Sequence, residues 1–235
     1  MTVIPVIDLM QGQVVRGVGG NRSAYRPIVS SLCAGSDPVV VARALCGHCA
    51  SLQLYVADLD ALQGGALQVD VLQDLLSALP GVELWLDGGF AEAADVQRLR
   101  AALGPSAERV VPVFGSESLA SAQALAECFG SARPGEAILS LDRRGAQRLD
   151  TAGCWDAVAQ WPRRVIVMTL ERVGSGAGPD LEVLSSLQSL APGTRFIGAG
   201  GIRDQADLDR ASQAGATAWL VASALHDGRL SRLTG

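Results

Sequence analysis

At 235 residues the chain is long for an ordinary domain but of normal size for one α/β barrel. Apolar residues make up 49% and aromatics only 4%, so the core must be built from Val, Leu, Ile and Ala, as in a parallel sheet buried on both faces; the net charge of −5 argues against a surface that neutralises nucleic-acid phosphates. All 19 cations are arginine, which excludes Schiff-base aldolase and pyridoxal-phosphate chemistry, both of which need a lysine amine.

No apolar run reaches the roughly 18 residues of a membrane span, and Met1 leads directly into a strand pattern with no basic leader. A cytosolic protein with no membrane or nucleic-acid partner is therefore expected. Five cysteines at irregular spacing do not make a disulfide framework.

Short aliphatic runs alternate with helical stretches from end to end. Strands are predicted over Val3–Ile7, Gln53–Ala57, Val82–Leu86, Arg109–Phe114, Ala137–Leu141, Arg164–Met168, Arg195–Gly198 and Ala218–Val221. Helices are predicted over Asp37–Leu45, Gln68–Leu79, Glu92–Leu103, Ser118–Phe129, Trp155–Trp161, Pro179–Leu190 and Asp204–Ala214. Asp37-Pro38 supplies a cap followed by proline at the first helical position, and Pro179 also marks a helix start. Eight βα units predict a closed (βα)₈ TIM barrel of the α/β class. The alternative, an open doubly wound sheet, lacks a Gly-x-Gly-x-x-Gly after the first strand. No linker, charge block or low-complexity tract divides the chain, so residues 1–235 are expected to form a single barrel.

The sequence echoes itself. Gly88-Gly89-Phe-Ala-Glu-Ala-Ala94-Asp95-Val-Gln-Arg98 resembles Gly200-Gly201-Ile-Arg-Asp-Gln-Ala206-Asp207-Leu-Asp-Arg210, after the third and seventh strands. Val6-Ile7-Asp8-Leu9 matches Ser140-Leu141-Asp142-Arg143, and Phe114-Gly115-Ser116 matches Val221-Ala222-Ser223. A duplicated and fused half-barrel gives this register.

In such barrels the functional face lies at the carboxyl ends of the strands. Asp8 and Asp142 each end an aliphatic run on opposing strands, and two carboxylates across a cleft can divide the labour of base and acid. The acid must be shifted upward from an ordinary value of about 3.9. The competing reading has each aspartate pairing with an arginine such as Arg16 or Arg143. Thr169, closing the sixth strand, is a third candidate catalytic residue, equally explained as a β-branched strand end. Asp58 and Asp60 read mainly as loop-ordering residues.

Glycine points to phosphate. Gly200 and Gly201 let the backbone approach a ligand, and Ala222-Ser223 opens a short helix towards the same point. The stretch from Gly174 through Gly176 to Gly178 offers a lid over this site. Gly88, Gly89, Gly115 and Ser116 are the equivalents in the first half, but Asp87 directly before them opposes a phosphate. Cys46-Gly-His48-Cys49 falls at a helix end rather than a helix start and reads as packing, not as a redox or zinc motif.

With these residues in hand, the whole chain resembles the histidine-biosynthesis phosphoribosyl isomerase family. The resemblance rests on Ile4-Pro5-Val6-Ile7-Asp8-Leu9, Gly12-Gln13-Val14-Val15-Arg16, Tyr55-Val56-Ala57-Asp58-Leu59-Asp60, Ser140-Leu141-Asp142 and Gly198-Ala199-Gly200-Gly201-Ile202. It implies Asp8 as base, Asp142 as acid, help from Thr169, a small phosphorylated substrate, an Amadori-type aldose–ketose rearrangement and no cofactor. The related cyclase subunit, with its Cys-Leu-Asp-Val opening, is a weaker match. Departures fall at the periphery. The third strand ends Asp87-Gly88-Gly89-Phe90-Ala91 where the family has three glycines and Ile-Arg, and the loop after strand six reads Arg172-Val173-Gly174-Ser175 where it has Arg-Asp-Gly-Thr. Strand eight ends Ala222-Ser223 where Gly-Arg is usual, and the family's Gly-Trp after strand five has only Trp155 as a substitute. These changes imply a divergent paralogue with another substrate; the sequence resembles isomerase-like paralogues associated with one-carbon carrier (methanopterin and methanofuran) biosynthesis. A phosphometabolite-binding barrel without catalysis is the alternative from a different class. Oligomeric state is left open.

Overall fold

The computed structural model describes residues 1–17, 25–130 and 137–233. Eight parallel strands form the barrel: β1 (Thr2–Met10), β2 (Gln53–Asp58), β3 (Glu83–Asp87), β4 (Val110–Gly115), β5 (Ile138–Arg144), β6 (Arg164–Thr169), β7 (Arg195–Ala199) and β8 (Ala218–Val221). Each pairs with its successor, and β8 returns to β1 in the register Thr2↔Ala218 to Pro5↔Val221, which closes the sheet and removes its edges. The predicted fold class stands.

Strand alternation builds two apolar layers. Ile4, Tyr55, Trp85, Val111, Ile138, Ile166, Ile197 and Leu220 fill the barrel interior with their neighbours of the same parity. Residues of the opposite parity, such as Val3, Leu54, Leu84, Leu139, Val165 and Phe196, pack outward against the helices. Aliphatic side chains therefore face both ways, and this is what allows so apolar a chain with so few aromatics to close.

Helices Pro38–Cys49, Val69–Ala78, Ala93–Leu103, Ala122–Phe129, Leu181–Leu190 and Gln205–Gln213 lie outside. The Asp37 carboxylate accepts the Val40 N–H at 2.9 Å, as its place before Pro38 predicts. Asp180, one residue after Pro179, caps the helix Leu181–Leu190. The helix predicted over Trp155–Trp161 is replaced by a single 3₁₀ turn at Val158–Gln160. There the Asp150 carboxylate takes the N–H groups of Cys154 and Trp155, and the Trp161 indole donates to the Cys154 carbonyl, so the segment's backbone is satisfied without a helix.

Two accessory hairpins were not legible in the sequence. β1 turns back through Gln13–Arg16 to Arg26–Pro27, and β5 turns back through Gln147–Leu149. They occupy equivalent places four strands apart. The echoed helices also share chemistry, since Arg98 pairs with Asp95 and Arg210 with Asp207, each three residues apart. Both features agree with a duplicated half-barrel.

Candidate active site

The interior parity that carries Ile4 and Val6 on β1, Trp85 on β3, and Ile138 and Ser140 on β5 brings Asp8, Asp87 and Asp142 into the barrel mouth. All three line one cavity of about 580 Å³ at the carboxyl ends of the strands. Asp8 and Asp142 are expected there; Asp87, in the sequence only a charge opposed to phosphate, is also part of the wall.

Each of the two candidate catalytic carboxylates is seated by a glycine. A Cβ on Gly17 would come within 2.7 Å of Asp8 Oδ2, and one on Gly115 within 2.9 Å of Asp142 Oδ2. Asp142 accepts the Ser140 hydroxyl at 2.6 Å and the Glu117 N–H at 3.4 Å, while its own N–H donates to Ser116 Oγ at 2.9 Å. Neither aspartate is held by the arginines suggested as partners. Arg16 pairs with Asp227 at 2.6 Å, and Arg143 with Asp180 at 3.5 Å.

Burial dominates the acidity of both. It raises Asp8 to about 7, against the Gly17 N–H that favours the ionised form, and the charge of Asp87 adds to the rise. Burial also holds Asp142 well above the usual carboxylate range, and Asp87 and Glu117 push the same way against the Ser140 hydroxyl. Tyr55, buried beneath them, donates to Asp87 Oδ2 at 3.0 Å. Among the described residues no three His, Cys, Asp or Glu side chains converge closely enough to hold a metal ion.

The other wall is basic and glycine-rich. Arg16, Arg172, Arg203 and Arg229 border the cavity with Gly176, Gly200, Gly201, Ala222 and Ser223. Gly178 lies behind this surface, where a Cβ on Gly201 would come 2.2 Å from its carbonyl oxygen. Arg172 donates to the carbonyls of Ala177 and Gly178 and so pins the glycine loop expected to serve as a lid.

The first-half equivalents do not reach the cavity. Gly88 and Gly89 are covered by Leu67 and Leu62, and Gly115 makes room for Asp142. Ser116 is fully buried, donating to the Leu149 carbonyl at 2.6 Å. Thr169 has the outward parity of Val165 and Val167. It is buried outside the cavity and donates to Asp180 at 3.1 Å, while Met168 faces the mouth. Trp155 is buried in the outer layer with its indole N–H lacking a hydrogen-bond partner, and it does not border the cavity. Asp58 orders its loop through the N–H groups of Ala61 and Gln68, and Asp60 through that of Gln11, as expected. Cys46 and Cys49 end the first helix, buried, with their thiols pushed up to about 11 and about 12 by burial.

The closed barrel thus brings paired carboxylates and a cationic, glycine-lined wall into one cavity at the carboxyl ends of its strands. Residues 2–231 match the family model described as histidine biosynthesis protein. The chain belongs to that family. It is 27% identical over 233 residues to an uncharacterised protein of Methanocaldococcus jannaschii, covering 98% of this chain and 95% of that one. It is 31% identical over 244 residues to the 1-(5-phosphoribosyl)-5-((5-phosphoribosylamino)methylideneamino) imidazole-4-carboxamide isomerase of Pelotomaculum thermopropionicum, covering 97% and 88%. The isomerase of the same name from Xylella fastidiosa is 26% identical over 246 residues, covering 97% and 87%.

Proposed function

We propose that the protein is an acid–base isomerase of a phosphorylated, sugar-phosphate-like metabolite, with Asp8 as base and Asp142 as acid. The observation that carries this reading is the pair of carboxylates at the ends of opposing strands facing one cavity, Asp8 raised by burial to about 7 and Asp142 held well above the usual carboxylate range. Two carboxyls whose acidity is lifted out of the ordinary range can exchange protons with a substrate near neutrality, one serving as base and the other as acid.

In an Amadori rearrangement Asp142 gives its proton to the ring oxygen as the C1–O bond opens. Asp8 removes the proton from C2, and the resulting enolamine gains a proton at C1 and loses its hydroxyl proton to become the aminoketose. Phosphate binds on the wall of Gly200, Gly201, Gly176 and Ser223, beside the positive charges of Arg172 and Arg203. The changed wall at Asp87 supports a substrate other than the bisphosphate of the histidine pathway. The names of the isomerase relatives favour a second reading, in which the chain carries out their reaction.

Titration with the histidine-pathway bisphosphate, followed by a turnover assay, separates the two. Turnover at the rate usual for the family would establish the second reading. A barrel that only binds would keep ligand affinity and show no loss of function in Asp8→Asn, whereas the isomerase would lose turnover with its affinity unchanged.

A further inference from the structure

The two ends of the cavity differ in charge and in access. At the β7–β8 end Gly200 and Gly201 line the cavity with arginines beside them. At the β3–β4 end the loop after β2 covers the matching pair. A Cβ on Gly88 would come 2.7 Å from Leu67 Cδ2, and one on Gly89 3.3 Å from the Leu62 Cα. Neither Gly88 nor Gly89 borders the cavity, so this pair offers it no anion cradle. Asp87 reaches the cavity instead, fixed by the Tyr55 hydroxyl at 3.0 Å on Oδ2 and the Gly89 N–H at 3.2 Å on Oδ1. Glu117 lies on the same side, and Arg144 stands at its exposed rim.

We infer that Asp87 is a specificity-determining residue: it excludes a second phosphate from the β3–β4 end and receives there a hydrogen-bond-donating group, hydroxyl or ammonium, of a substrate with one phosphate. This rests on the phosphate reading of the β7–β8 wall proposed above. A carboxylate facing a phosphate in a walled cavity rejects it by like-charge repulsion, and the same carboxylate accepts from a donor. The field of Asp87 already disfavours ionisation of both Asp8 and Asp142, so this end of the mouth is negative before any ligand arrives.

Calorimetric titration of the purified full chain and of Asp87→Asn tests the inference with three probes: ribose 5-phosphate, glucosamine 6-phosphate and the histidine-pathway bisphosphate. The wild type should bind both monophosphates more tightly than the bisphosphate, and Asp87→Asn should gain roughly tenfold or more for the bisphosphate alone. A selective loss of glucosamine 6-phosphate in the variant assigns the donor as ammonium, an equal loss of both monophosphates assigns it as hydroxyl, and undiminished affinity for both overturns the donor-accepting role. Equal bisphosphate affinity in the two proteins would overturn the inference while leaving the phosphate wall standing. Binding of no probe by either protein would defeat the phosphate reading and the inference with it. Should Asp87→Asn fail to fold, as a melting curve would show, a wild-type preference for the bisphosphate over ribose 5-phosphate overturns the inference by itself.

Discussion

Ser116 holds Asp142 in place: its hydroxyl oxygen accepts the Asp142 N–H at 2.9 Å and donates to the Leu149 carbonyl at 2.6 Å. One buried hydroxyl thus ties the loop after β4 to the end of β5 and to the strand that returns from it. The residue predicted to touch phosphate instead supports the candidate acid.

Ser116→Ala leaves a buried N–H and a buried carbonyl without this partner. Chemical denaturation should show a loss of about 1–3 kcal/mol. Because Asp142 loses its anchor, kcat should fall more than KM rises, and Ser116→Thr should recover part of both.

Asp8 gives the activity and the stability opposite pH dependences. As a base it must be ionised, so kcat/KM should rise as pH passes upward through about 7. The folded chain binds the Asp8 proton more tightly than the unfolded chain, whose carboxyl has its ordinary value. This contribution to stability is therefore full below about pH 4 and is lost as pH rises through about 7. Asp8→Asn should lose turnover by roughly 100-fold or more. It should also be more stable than the wild type at pH 8, by on the order of 2 kcal/mol, and show no such gain at pH 4. An unchanged stability difference across that range would remove the case for a desolvated Asp8.

His226 acts in the opposite sense. Burial, with Arg16 beside it, lowers its imidazole to about 4, and its Nδ1 lies 3.0 Å from Ser30 Oγ. The unfolded chain binds this proton more tightly, so stability is lost as pH falls from about 6.5 through about 4. His226→Gln should flatten the acid side of the stability curve, measured by urea midpoints from pH 4 to pH 7.

Two glycines of the second-half wall should respond differently to alanine. Gly201 has φ +86° and a Cβ there would overlap the Gly178 carbonyl oxygen at 2.2 Å. Gly176 has φ +67° with nothing within 4 Å of a Cβ. Gly176→Ala should cost only about 1–2 kcal/mol of backbone strain. Gly201→Ala should cost more, and phosphate affinity should fall with it, because β7 and the glycine loop must separate.

The thiols of Cys46 and Cys49 should resist iodoacetamide at pH 8 in the folded protein, since burial pushes them to about 11 and about 12. Mass spectrometry should find half-buried Cys33 labelled first, and the pair labelled only in denaturant.

The sequence by itself determined the eight strands, their parallel closure, the capped first helix and the aspartates of β1 and β5, because aliphatic runs and strand-end charges are local signals. It placed strand ends too early. The aliphatic run of β1 ends at Ile7 but the strand runs to Met10, and that of β5 ends at Leu141 but the strand runs to Arg144, each extended by an antiparallel return strand. Such pairing is set by the partner and not by the segment's own composition. Likewise, the echo located both glycine clusters but could not tell which borders the cavity. Leu62 and Leu67 pack against Gly88 and Gly89 from another unit, whereas Gly200 and Gly201, packed against Val173 and Gly178, line the cavity.

Only the tertiary structure decided which side chains face the cavity. In a barrel whose strands are apolar on both faces, alternation carries no mark of which parity is inward. Asp87 and Thr169 looked alike as polar strand ends; register turned Asp87 into the mouth and Thr169 out towards Asp180. Acidity followed from the same step, since Asp8 and Asp142 depart from ordinary carboxyls only once the closed barrel removes them from water.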